Sequence, residues 1–334
     1  MLPLPACEVL FPTSVAETLE HLRARPGARL VAGGTDLLPN LKRGVGRPTT
    51  LVSLAKVQGL DALVRGDSEL RIGARITLAR LARDPSVPRA IAHAAASIAS
   101  PQIRNVATVG GNLCLDTRCV YVNQTAFWRG ALGHCIKADG SECHVVPGGK
   151  RCVAAASADL PPVLVALGAS VRVLSVEGER LIPIDKLYAN DGAAPIALPA
   201  DALIAEVVVP IDERVRAAYR KLRARGAIDF PLLGVAVAVA IEQGVVEQGA
   251  VEQGVCRSIR VVASGIGSAP RRVSKLDDLA VGRPLDAATI DAVARRCFEA
   301  LHPQANIAAD SEWRRAMIPV LVRDAFAEMA VHSR

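Results

Sequence analysis

Five of the eight cysteines fall between positions 114 and 152 (Cys114, Cys119, Cys135, Cys143 and Cys152), while Cys7, Cys256 and Cys297 are scattered. The cluster constrains the fold because the segments around it read as continuous without it. Before it runs Thr108-Val109-Gly110-Gly111-Asn112-Leu113, and after it Ser157-Ala158-Asp159-Leu160-Pro161-Pro162. The chain must therefore close a thiol-rich loop without breaking the α/β unit on either side. Met1 to Pro5 carries no basic leader pattern, and no run of about 18 apolar residues is present. A cytoplasmic protein with reduced thiols is expected, and thiols concentrated in one loop of such a protein point to a metal group.

The N-terminal part alternates helix-like and strand-like pieces. Ser14-Val15-Ala16-Glu17 has the pattern of a capping box and opens a helix with Val15, Leu19 and Leu22 on one face. Arg29–Ala32 reads as a strand running into Gly33-Gly34-Thr35-Asp36, with a helix from Leu37. Thr50–Leu54 reads as another strand. Leu60–Val64 and Leu70–Gly73 flank Gly66-Asp67-Ser68 as a hairpin, and helices follow near 78–83 and 89–97. Beyond the cysteines, Leu160–Leu167 reads as a helix stopped by Gly168. Ser170–Ser175 and Arg180–Pro183 form a second hairpin, and Ala202–Val209 a strand.

The remainder changes character. Ala217–Arg225, Leu232–Ile241 and Arg257–Ser264 read as three long antiparallel strands. Helices are predicted over 274–279, 287–301 and 310–330. A pentad repeat from Ile241 to Val255, with glycine every fifth position, reads as a duplication at a hairpin tip. The pattern defines an α+β chain: a two-subdomain α/β region over residues 1–215, a cysteine loop inserted at 115–154, and an α+β domain over 216–334.

The net charge is +7, spread along the chain, and aromatic residues make up only 3%. Few aromatics argue against a base-stacking nucleic-acid binder. Charge spread in this way reads first as a solvated surface with some positive faces, and a patch of it would also suit an acidic protein partner or an anionic cofactor.

Two glycine turns carry the binding signal, although a structural strand-to-helix turn is an equally open reading of the first. In Ala32-Gly33-Gly34-Thr35-Asp36 the glycines let the backbone approach an anion closely, and N–H groups at a helix start face it. Thr35 adds a donor. Thr108-Val109-Gly110-Gly111-Asn112 supplies a second turn. Neither has the Walker or the Gly-x-Gly-x-x-Gly pattern. Asp159 stands at a helix entry, where N-capping and ligand contact are equally open. Among the cysteines the spacing Cys119-x15-Cys135-x7-Cys143-x8-Cys152 holds no Cys-x-x-Cys pair. That favours a 4Fe-4S cluster over zinc, although His134 and His144 beside two of the cysteines keep zinc open. No Ser–His–Asp or paired-carboxylate arrangement is visible.

The segments Ala32–Asp36, Gln102–Leu113 and Ser157–Pro162, taken together, resemble the FAD-binding subunits of molybdenum hydroxylases, and the likeness runs over nearly the whole chain. It implies that the two glycine turns hold the FAD pyrophosphate and that Asp159 lies near the flavin or its ribityl arm. It further implies that Lys221, in Tyr219-x-Lys221, stabilises negative charge on the reduced flavin; an exposed strand lysine is the plainer reading. Most members of that family run almost directly from Gly-Gly-Asn to Asp-Leu-Pro. The insertion here resembles that of the β subunits of 4-hydroxybenzoyl-CoA reductases. That resemblance makes Cys119, Cys135, Cys143 and Cys152 ligands of a 4Fe-4S cluster and leaves Cys114 to pack as a small apolar residue. Tyr121, Phe127 and Trp128 lie in the same loop, where shielding of the cluster and simple loop packing are equally open readings. The implied activity is reductive removal of the phenolic hydroxyl of 4-hydroxybenzoyl-CoA. Ferredoxin would supply electrons through 4Fe-4S and FAD to a partner subunit's two 2Fe-2S clusters and to a large subunit's molybdopterin, in a dimer of heterotrimers. Two alternatives stand beside it: a related flavin subunit passing electrons to NAD or a quinone, and a non-redox protein stabilised by zinc.

Overall fold

The computed structural model describes residues 2–242 and 254–331. The chain begins with β1 (Glu8–Leu10), α1 (Val15–Ala24), β2 (Arg29–Val31), α2 (Leu37–Lys42) and β3 (Thr50–Ser53). The three strands form a parallel sheet in the order β1-β3-β2. Ser14 caps α1 by accepting the Glu17 N–H at 3.1 Å, and the Glu17 carboxylate accepts the Thr13 N–H at 2.7 Å. One helix-start donor and the N–H just ahead of the cap are thereby satisfied. Leu19 and Leu22 face inward, Leu22 against Val52 of β3.

A second group follows: β4 (Leu63–Arg65), β5 (Glu69–Gly73), α3 (Leu78–Arg83), α4 (Arg89–Ala96), α5 (Pro101–Arg104) and α6 (Val109–Leu113). The inserted loop then carries α7 (Ala126–Leu132) before α8 (Leu160–Leu167), β6 (Ser170–Ser175), β7 (Gly178–Pro183) and β8 (Leu203–Pro210). These five strands pair antiparallel in the order β4-β5-β8-β6-β7. α8 is apolar nearly all round, and all but one of its residues are buried. It packs with Ile72, Ile91, Val171 and Val207 in the main core. Gly168 ends it in a left-handed conformation (φ 74°) that L side chains avoid.

The third group is β9 (Val215–Leu222), β10 (Leu233–Glu242), β11 (Val255–Ser264), β12 (Arg271–Arg272), α9 (Asp277–Ala280), α10 (Ala287–Ala300) and α11 (Ser311–Val331). The sheet order is β12-β11-β10-β9, antiparallel throughout, so the expected three strands gain a short fourth at one edge. β10 explains how the groups join. Its valines, Val235, Val237 and Val239, face α10 and α11, where Val293, Ala294, Ile318 and Val322 meet them. Its alanines, Ala236 and Ala238, face the main core with α8. The strand alternates with period two, but both faces are apolar because both are buried. Small residues on one side let α8 approach closely.

The helix predicted over 274–279 is shorter, covering Asp277–Ala280. Most of the pentad repeat lies outside the described residues. No helix among the described residues is long and apolar enough to cross a membrane.

Candidate functional site

A cleft of about 950 Å³ opens between the three groups. Its size is at the upper end of the range for sites that enclose drug-sized ligands, which suits an extended dinucleotide. Ala32, Gly33, Gly34, Thr35, Asp36, Thr108, Gly111, Asn112 and Asp159 all line it. Residues drawn from three distant stretches of sequence thus meet at one place.

The β2–α2 turn is built for close approach. A Cβ on Gly33 would overlap the carbonyl of Val106, so the turn lies flat against the segment leading into α6. Gly34 has φ 67°, in the left-handed region. The Asp36 carboxylate accepts the Asp116 N–H at 3.2 Å and pairs with the Arg118 guanidinium. Asp36 therefore ties the turn to the start of the inserted loop.

The second glycine segment differs from the expected turn. Gly110 and Gly111 lie inside the short helix α6, which Thr108 caps by accepting the Gly111 N–H at 3.1 Å. Gly110 faces away from the cleft, and a Cβ there would stand 2.9 Å from Ala74 Cβ. Its role in the fold is close packing. Asn112 Oδ1 accepts the Leu160 N–H at 3.2 Å and so serves the start of α8.

That hydrogen bond settles one open reading of Asp159. Its carboxylate makes no cap bond to α8. Instead Tyr219 Oη donates to it at 2.8 Å, and Lys221 Nζ stands 3.0 Å away. Lys221 also donates to the Ser97 carbonyl at 3.1 Å. It is buried on β9 behind Asp159 rather than exposed, and it does not itself line the cleft. Burial pushes the Asp159 carboxyl up and the Lys221 ammonium down, and their mutual attraction works against both shifts.

Cys114 at the end of α6 and Leu115, Asp116, Arg118 and Lys137 of the inserted loop supply part of the cleft wall. Cys114, expected to pack as an apolar residue, is exposed at this wall. The Arg118 guanidinium lies 4.4 Å from the ring centre of Phe230, a cleft-lining residue between β9 and β10. Arg118 and Lys137 gave no motif signal. Their only sequence mark is that Arg118 precedes Cys119 and Lys137 follows Cys135 by two positions.

Cys119, Cys135, Cys143 and Cys152 are all buried and free of disulfides. They line one small cavity together with Tyr121, Val122, Ile136, Lys137, His144, Val145, Val153 and Ala154. Desolvation raises the Cys119 and Cys152 thiols, Cys152 to about 11, and each feels the charge of other cysteines in the cage. Among the described residues no three His, Cys, Asp or Glu side chains form a group that could hold a metal ion. His144 Nε2 donates to the Gly133 carbonyl at 2.8 Å, and its ring lies 5.3 Å from that of Tyr121. Trp128 packs on Tyr121 from 6.4 Å. Phe127 turns outward and is 87% exposed, so it shields nothing. The loop is clamped from two sides. The Arg129 guanidinium donates to the carbonyls of Val122, Gln124, Arg43 and Gly44. Asn306, ahead of α11, accepts the Val120 N–H and donates to the Val153 carbonyl.

The fold and the cleft define a flavin-binding chain of a known class. The family model for the FAD binding domain in molybdopterin dehydrogenase matches residues 5–212, and that for the CO dehydrogenase flavoprotein C-terminal domain matches residues 217–329. The chain belongs to this family, the FAD-binding subunits of the molybdenum hydroxylases. It is 30% identical over 332 residues to the 6-hydroxypseudooxynicotine dehydrogenase complex subunit alpha of Paenarthrobacter nicotinovorans, covering 96% of this chain and 95% of that one. It is 32% identical over 305 residues to the aldehyde oxidoreductase FAD-binding subunit of Escherichia coli, covering 87% and 89%. Quinoline 2-oxidoreductase from Pseudomonas putida shares the fold with a TM-score of 0.77 at 22% identity, over 98% of both chains. Carbon monoxide dehydrogenase from Hydrogenophaga pseudoflava does so at 0.77 and 23%, over 98% of this chain and 99% of that one.

Proposed function

We propose that this chain relays electrons through FAD and through a 4Fe-4S cluster held by Cys119, Cys135, Cys143 and Cys152. One observation carries the reading: four buried, unbridged thiols from a loop of 34 positions converge on one cavity in the same loop that walls the FAD cleft. A multi-iron cluster spreads its thiolates more widely than a single ion does. The described side chains form no group that could hold a metal ion as they stand, so the reading rests on the four thiols sharing one cavity. The space between them is about 10 Å³, so seating a cluster requires the thiols to swing outward between staggered rotamers.

In this reading Ala32, Gly33, Gly34 and Thr35 present backbone to the pyrophosphate, with Thr108, Gly111 and Asn112 opposite. Gly110 keeps α6 pressed on Ala74 so that this wall stays in place. Asp159 faces the flavin or ribityl arm, and Lys221 acts through Asp159 by fixing its position. Bound FAD exchanges electrons singly or in pairs, which joins a one-electron cluster to two-electron chemistry. The boundary between the FAD-binding region and the C-terminal domain falls near 215, where β8 gives way to β9.

The full enzyme would include a molybdopterin-binding large subunit and a small subunit with two 2Fe-2S clusters, with ferredoxin as the donor. Its reaction would take 4-hydroxybenzoyl-CoA, two electrons and two protons to benzoyl-CoA and water. The cysteine loop is what favours this substrate. Two relatives are named as a hydroxypseudooxynicotine dehydrogenase and an aldehyde oxidoreductase, which supports a second reading of substrate oxidation; NAD or a quinone would then take the electrons. NAD reduction by the complex, without ferredoxin-dependent turnover of the acyl-CoA, would select it. For the ligand set, Cys135→Ser should abolish cluster iron while leaving the fold and most FAD. Retention of iron and flavin at native levels would refute the assignment.

A further inference from the structure

Lys137 is the one residue, among those described, that lines both the cleft and the cysteine cavity. It sits in the single helical turn Ile136–Ala138 that follows Cys135. Its side chain is only 5% exposed, so the ammonium must replace water with protein partners. It finds two: Asp116 Oδ1 at 2.6 Å and the Gly192 carbonyl at 2.6 Å.

Both partners lead onward, one to each site. Gly192 donates its N–H to the Cys152 carbonyl at 2.8 Å, and a Cβ on Gly192 would stand 2.9 Å from Cys152 Sγ. The backbone that holds Lys137 is thus packed directly on a cage sulfur. In the other direction, Asp116 donates its N–H to the Asp36 carboxylate at 3.2 Å, at the end of the glycine turn on the cleft. A continuous chain of polar contacts therefore runs from Cys152 through Gly192, Lys137 and Asp116 to Asp36.

We propose that Lys137 is an electrostatic positioning residue shared by the two redox sites, its buried ammonium raising the reduction potential of the group held by the cysteine cage. The inference rests on the reading that the cage holds an iron–sulfur cluster. Each electron accepted there adds one negative charge. A fixed cation at close range, shielded from water, stabilises the reduced form more than the oxidised form. Asp116 offsets part of that effect, so the two side chains act with opposite signs.

The test is an anaerobic redox titration of the cluster, followed by electron paramagnetic resonance, on the full chain and on Lys137→Met, Lys137→Arg and Asp116→Asn. Iron, sulfide and flavin are counted on each sample. Lys137→Met should lower the reduced-to-oxidised ratio at a fixed potential by about tenfold, equivalent to about 59 mV for a one-electron couple. Lys137→Arg should restore most of it, and Asp116→Asn should shift it the other way. A merely structural lysine would lower cofactor content without moving the potential. Full cofactor content with unmoved potentials in Lys137→Met and Asp116→Asn would overturn the proposal. If Lys137→Met fails to retain the cluster, Asp116→Asn decides: a raised potential supports the proposal and an unchanged one overturns it. An unaltered chain without iron would instead overturn the cluster reading, and this inference with it.

Discussion

Lys221 and Asp159 form an ion pair at 3.0 Å, with both side chains about 4% exposed, although one lies on β9 and the other opens α8. Tyr219, two residues before Lys221 and on the same face of the strand, donates to the same carboxylate. The main core and the C-terminal sheet are thus pinned together at the edge of the cleft. Removing one member of a buried pair leaves the other charge unpaired in a dry place, at a cost of about 3–5 kcal/mol. Lys221→Met is expected to lose about that much in urea unfolding and to weaken FAD retention. Combining it with Asp159→Leu should cost clearly less than the sum of the two single changes. Additive losses would show that the pair is not energetically coupled.

The flat contact of Gly33 on Val106 yields a second expectation. Gly33→Ala places a methyl group on a backbone carbonyl that cannot move aside. Overpacking of this kind costs about 1–3 kcal/mol, and the shift would open the turn. Purified Gly33→Ala should carry much less flavin per chain while its far-ultraviolet circular dichroism stays native. Full flavin content would show that the turn does not depend on this contact.

Glu206 governs acid stability of the five-stranded sheet. It accepts from Arg71 at 2.7 and 2.9 Å and from Arg172 at 2.7 Å. Burial alone would raise its carboxyl, but the hydrogen bonds from Arg71 and Arg172 and their charges outweigh this and hold it below the ordinary value of 4.5. A carboxyl lowered in the folded state stabilises it above the unfolded value, and that contribution fades as pH falls through the folded one. Glu206→Gln should therefore cost about 1–3 kcal/mol at neutral pH. The gap between the two proteins should close as the pH drops below 4.5. A gap that persists unchanged into strong acid would exclude the carboxylate as its source.

Arg129 is the lock on the inserted loop. Its guanidinium is buried and serves four backbone carbonyls, two inside the loop and two just after α2. Arg129→Met strips those acceptors of their donor, and charged hydrogen bonds of this kind are each worth about 1.5–3 kcal/mol. Limited proteolysis should then cut within residues 115–154 about tenfold faster or more, while β9–β11 stay protected. Equal cleavage rates would place the clamp elsewhere, with Asn306 the next residue to change.

Much of this architecture is legible in the sequence because it is local. Leu160–Leu167 with Gly168 behind it, the hairpins around Gly66 and Gly178, and the Val–Ala alternation of β10 each carry their own period and stop signal. What stays hidden is set by partners far away in the chain. Asp159 looks like a helix cap until Asn112 takes that bond and Tyr219 and Lys221 take the carboxylate. Lys221 looks like a surface lysine because a strand residue shows its burial only once α4, α8 and the sheet are assembled. Gly110 and Gly111 read as a turn, yet Thr108 caps them into a helix that presses Gly110 on Ala74. Arg118 and Lys137 have no motif, since a lone basic residue beside a cysteine carries no period. The two-residue strand β12 is too short to leave a pattern. The cysteines were the opposite case: their spacing was visible, and their convergence needed the fold.

The most direct measurement is a count of iron, acid-labile sulfide, zinc and flavin on one anaerobically purified sample, with its absorption spectrum. The expected result is one FAD with about four irons and four sulfides per chain, and flavin bands superimposed on broad thiolate-to-iron absorption. Flavin without iron, or zinc in place of iron, would contradict the cluster and leave a flavin subunit whose cysteine cage has another purpose.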